Sequence, residues 1–68
     1  MSDDIEGLCF EDAFEALEAA VRQLEEGNLT LEQSIALYQR GMRLARRCSQ
    51  ALDEAELQVQ QLAPPGGQ

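Results

Sequence analysis

Residues 31–62 read LEQSIALYQRGMRLARRCSQALDEAELQVQQL, a run of 32 residues with no proline and a single glycine, Gly41. Apolar or small residues recur at Leu31, Ile35, Tyr38, Met42, Ala45, Ser49, Leu52, Ala55, Val59 and Leu62. Spacings of three and four mark one face of an α-helix. At 1.5 Å per residue this helix is about 48 Å long. Nothing else in a chain of 68 residues is long enough to lie along all of it. Its second half therefore asks for a partner from outside the chain.

Working back toward the N-terminus, Thr30 opens this helix and Gln33 follows three residues later, the pattern of a capping box. Gly27 suits the left-handed position that ends a preceding helix, and Asn28 and Leu29 complete a tight connection. That preceding helix is expected from Phe10 to Glu26, with an apolar stripe of Phe10, Phe14, Leu17, Val21 and Leu24, widened by Ala13 and Ala20. Glu11 and Asp12 fall in its first turn, where the helix dipole favours negative charge. Cys9 stands at the N-cap, a place better served by a hydroxyl or carboxylate. Residues 1–8 are read as a loosely held tail. Residues 63–68 (Ala-Pro-Pro-Gly-Gly-Gln) are read as a second flexible tail, because they do not continue a helix. The hairpin domain is thus expected over residues 9–62.

A short connection sets two helices antiparallel. The expected register places Leu24 near Leu31 and Ile35, Val21 near Ile35 and Tyr38, and Leu17 near Tyr38 and Met42. A second stripe runs beside the first: Ser34, Leu37, Gly41, Leu44, Cys48, Ala51 and Ala55. This stripe either widens the hairpin's own core or meets another chain. Contact with another chain is the favoured reading, since one 17-residue helix does not cover two stripes. The residues expected at a partner interface are Leu44, Cys48, Ala51, Leu52, Ala55, Val59 and Leu62. The fold class is accordingly all-α: an antiparallel two-helix hairpin with a long second helix, assembling into an oligomeric helical bundle. Size argues the same way, because so short a chain buries a small share of its surface and association is the natural stabiliser.

Charge excludes some functions. The net charge is −8, which opposes free-standing nucleic-acid binding. Residues 1–34 carry a net −9, residues 35–52 a net +4 from Arg40, Arg43, Arg46 and Arg47, and the remainder a net −3. Arg40, Arg43 and Arg47 share a helix face. They either pair across the hairpin with Glu11, Glu15 and Glu18, the preferred reading, or touch a phosphate or an acidic partner. Histidine is absent, so neither a Glu-x-x-His di-metal bundle nor a His-activated nucleophile is available. Cys48 reads as a small buried hydrophobe, and Cys9 lies roughly opposite it. No catalytic residue, metal ligand or cofactor is expected. Two cysteines, no leader and no membrane span give a reducing, cytoplasmic setting as the expectation.

Three stretches together resemble a known family: Phe10-Glu11-Asp12-Ala13-Phe14-Glu15-Ala16-Leu17, the run from Val21 through Gly27-Asn28-Leu29-Thr30-Leu31-Glu32-Gln33-Ser34-Ile35, and Leu37-Tyr38-Gln39-Arg40-Gly41 continuing to Cys48 and Leu52-Asp53-Glu54-Ala55-Glu56. The combination of Leu-Glu-x-Gly-x-Leu-x-Leu-Glu with Leu-Tyr-x-x-Gly resembles the small subunit of bacterial exodeoxyribonuclease VII, over roughly residues 9–62. Phe14, Ala20 and Cys9 depart mildly, standing where the family has leucine, a larger aliphatic and a hydroxyl cap. The resemblance implies a non-catalytic subunit that binds a large catalytic subunit, the complex degrading single-stranded DNA from its ends to oligonucleotides. It implies contact with DNA only through the complex, self-association, and no membrane. The alternative is a homo-oligomeric helical adaptor without a nuclease partner.

Overall fold

The computed structural model describes residues 4–62, with side chains through Gln60. A short 3-10 turn, Ile5–Gly7, precedes two α-helices, α1 over Phe10–Glu26 and α2 over Leu31–Leu62. These described residues form no strand. The helices fold back on one another as a hairpin, so the all-α architecture is as the sequence predicts. The molecule spans 54 × 25 × 15 Å, its long dimension set by α2.

Local chemistry fixes the hairpin bend. Thr30 N–H donates to Gln33 Oε1 at 3.0 Å, and Gln33 N–H donates to Thr30 Oγ1 at 3.0 Å. Two amides without helical partners are thereby satisfied reciprocally. The first turn of α2 then closes with Ser34 N–H on the Thr30 carbonyl at 2.9 Å. Gly27 ends α1 at φ +76°, a conformation that disfavours any residue with a Cβ. At the other end of α1, Cys9 has the extended backbone of an N-cap but its side chain makes no capping hydrogen bond.

The core is small and sits where α2 emerges from under α1. Ile5, Ala13, Leu44 and Cys48 are buried together, with Leu8, Phe10, Ala16 and Leu17 packed around them. Ala20 is buried farther along α1. Two sequence expectations change here. Leu44 is fully buried and Cys48 is 7% exposed, so the second stripe of α2, not the first, faces α1 at this level. The reason is steric. Ala13 and Ala20 on α1 and Gly41 on α2 are small, and helices approach closely along small residues. A Cβ built on Gly41 would stand 3.8 Å from Leu17. The bulkier first stripe is displaced to one side of the seam.

The second change concerns the expected N-terminal tail. Ile5 is 2% exposed and fills the core beside Leu44 and Cys48. α1 begins at Phe10, too late to cover this level of α2, and the 3-10 turn supplies the missing apolar side chain. Leu8 N–H donates to the Ile5 carbonyl at 3.1 Å, and Arg47 Nε donates to the Leu8 carbonyl at 2.8 Å, tying the segment to α2. The expectations for residues 1–3 and 63–68 lie outside the described residues.

Candidate partner-binding face

Displacing the first stripe leaves it on the surface. Ile35, Tyr38 and Met42 of α2 are about half exposed or more, Tyr38 by 60%, and Leu31 near the bend by 76%. Phe14 and Val21 of α1 border the same side and are also exposed. Between the two helices lies a trough of about 210 Å³, lined by Leu17, Ala20, Val21, Leu24, Tyr38, Gly41, Met42 and Ala45. Its lining contains no charged side chain. Phe10 and Phe14 stack at 5.7 Å between ring centroids, extending the apolar strip toward the start of α1.

The strip continues past the end of α1. Leu52, at 53% exposure, and Val59, at 60%, follow Tyr38, Met42 and Ala45 along α2 at helical spacing. Of the seven residues expected at a partner interface, Leu52, Ala55 and Val59 are exposed on this overhang, and Ala51 is partly buried. Leu44 and Cys48 belong instead to the hairpin's own core, and the side chain of Leu62 lies outside the described ones. Phe14 and Val21 on α1, and the exposed Leu57 on α2, are additions. Phe14 and Val21 carried a legible signal, since both stand at the outer edge of the α1 stripe.

Arg40, Arg43, Arg46 and Arg47 line two other clefts. Arg40 lines a surface cleft with Asp4, Leu8, Asp12, Glu15 and Ala16, so one expected acid, Glu15, is its neighbour. Arg43, Arg46 and Arg47 line a second cleft with Ile5, Glu6 and Gln50. Arg47 is committed to the Leu8 carbonyl and also approaches Glu54, Nη1 to Oε2 3.8 Å, its side chain 17% exposed. Glu18 lies elsewhere, lining a shallow cleft with Phe14, Leu17, Val21, Arg22 and Glu25. Among the described residues no group of three or more Cys, Asp or Glu is arranged to hold a metal ion, and both thiols are free, Cys9 exposed and Cys48 buried. No helix of the described residues is long and apolar enough to cross a membrane.

The described residues form a small helical hairpin with one long apolar face. Residues 10–61 match the sequence profile of the exonuclease VII small subunit. The chain belongs to the exonuclease VII small-subunit family. Relatives named exodeoxyribonuclease 7 small subunit include that of Magnetococcus marinus, 48% identical over 58 residues that cover 85% of this chain and 83% of the relative. That of Symbiobacterium thermophilum is 47% identical over 60 residues, 88% of this chain and 81% of its own length. That of Legionella pneumophila strain Corby is 48% identical over 56 residues, 82% and 74%. No solved structure matches the chain. Within the exonuclease VII small-subunit family, the matched span takes in both helices and the bend, and it begins after the 3-10 turn.

Proposed function

We propose that this chain is the non-catalytic small subunit of an exodeoxyribonuclease VII, binding a large subunit that hydrolyses single-stranded DNA from its ends to oligonucleotides. The observation carrying this reading is the continuous apolar face of Phe14, Val21, Tyr38, Met42, Leu52 and Val59 on a chain of this family. So much apolar surface on so small a molecule is the mark of an interaction face. In this reading phosphodiester hydrolysis belongs to the partner, and among the described residues no metal-binding group is assembled. DNA meets this subunit only through the complex, and its charge of −8 keeps the free chain off phosphate backbones. The overhang of α2 also supports self-association, with Leu52, Ala55 and Val59 as contact residues. The complex acts in the cytoplasm.

Co-expression with the large subunit from the same genome tests this. A stable complex with single-strand exonuclease activity, which the purified small subunit lacks, is the expected result. A chain that forms a homo-oligomer and ignores the large subunit would instead be an adaptor of another kind.

A further inference from the structure

The two thiols of this chain converge on one end of the hairpin. Cys9 is exposed at the start of α1, and Cys48 is buried on α2, 7% exposed. The residues just before each cysteine are joined, since Arg47 Nε donates to the Leu8 carbonyl at 2.8 Å. One turn into α1 the closeness persists. Ala13 N–H donates to the Cys9 carbonyl at 2.9 Å, and Ala13, wholly buried, shares a cluster with Cys48. Cys9 stands four residues before Ala13, hence on the helix face that meets α2. The register of the seam leads to the same pair. A Cβ on Gly41 would meet Leu17 at 3.8 Å, and about two turns farther toward the 3-10 turn Cys9 comes level with Cys48.

The two sulfurs differ in access. The Cys9 side chain makes no capping hydrogen bond, so turning its Sγ toward α2 breaks no cap. Cys48 is shielded within the cluster it shares with Ile5, so an oxidant arriving from solvent meets Cys9 first. We propose that Cys9 and Cys48 form a reversible disulfide under peroxide, a redox staple joining the start of α1 to α2. Hydrogen peroxide oxidises the Cys9 thiol to a sulfenic acid, and the broken O–O bond leaves one water. The Cys48 sulfur then attacks the Cys9 sulfur, and the hydroxyl departs with the Cys48 proton as a second water. Two thiols thus give two electrons and two protons to one peroxide, and a thiol reductant reverses the bond. Residues 10–47 lie between the two cysteines, so the cross-link removes much chain entropy from the unfolded state.

The test treats the purified full chain, dilute and freshly reduced, with hydrogen peroxide, then blocks remaining thiols and digests with trypsin. Cleavage after Arg22 and Arg47 separates the cysteines, so the staple is read as peptide 1–22 linked to peptide 48–68. The linked chain is expected to run as a single copy on a non-reducing gel. By circular dichroism it should melt about 10 °C or more above the reduced chain and return on addition of dithiothreitol. Cys9→Ser should slow Cys48 oxidation roughly tenfold or more, because the exposed sulfur that takes the peroxide is gone. Cys48→Ala should leave Cys9 as a sulfenic acid that dimedone captures, and Cys9→Ser decides alone if that variant loosens the core. Absence of the linked peptide would overturn the proposal, as would Cys9–Cys9 links between copies as the main product. So would a Cys48 that oxidises equally fast in Cys9→Ser, or a linked chain that melts no higher than the reduced one.

Discussion

Cys9 and Thr30 hold equivalent positions at the starts of α1 and α2, and only one of them caps. Thr30 and Gln33 exchange two hydrogen bonds, whereas Cys9 has the right backbone and no side-chain bond. Cys9→Ser is therefore expected to raise stability by about 0.5–1 kcal/mol, and Thr30→Ala to lower it by about 1 kcal/mol, both read from urea unfolding followed by circular dichroism. Gly41 gives a third case. Its φ is not left-handed, and a methyl there would sit 3.8 Å from Leu17, an ordinary contact. Gly41→Ala should stabilise the isolated hairpin by about 0.5–1 kcal/mol. The same methyl makes the trough shallower, so binding of the large subunit should fall while the melting temperature rises. The two capping positions were legible in the sequence, because capping depends on neighbours within four residues, whereas the space at Gly41 depends on Leu17 across the seam.

At the scale of elements, the 3-10 turn was not legible. Half of residues 1–8 are acidic or polar, and a lone isoleucine among them has no period to reveal its destination. Its role comes from where α1 starts. Burial of Ile5 contributes about 1.5–3 kcal/mol toward holding the segment against its backbone entropy. The Arg47–Leu8 hydrogen bond, with its charged donor, adds to the favourable side. Ile5→Asp is expected to release the segment while both helices persist. In a Cys9→Ser background, the rate of Cys48 modification by an aromatic disulfide reagent should rise roughly tenfold or more, since opening by one core side chain's worth of free energy is enough. Leu44→Ala behaves differently. It removes the one large side chain of α2, among those described, that is wholly buried, and a loss of about 2–5 kcal/mol should melt the hairpin itself.

For the whole molecule, the proposed self-association through the overhang of α2 is separable from folding. Val59 lies beyond the reach of α1 and is 60% exposed. Val59→Asp should leave the melting transition of the hairpin nearly unchanged yet abolish higher-order assembly, as read by light scattering. An unchanged particle size would remove the overhang from the interface.

The sequence alone determined that there are two helices, where they bend, and that the second outruns the first. Those features follow from periodicity, from capping within a few residues, and from which residue types are present. Tertiary structure decided which of two adjacent stripes on α2 is core and which is surface. Both stripes satisfy helical periodicity, and the choice between them depends on how closely two backbones approach along Ala13, Ala20 and Gly41. It also decided that Ile5 belongs to the core, through a contact about 40 residues away in sequence that no local pattern encodes.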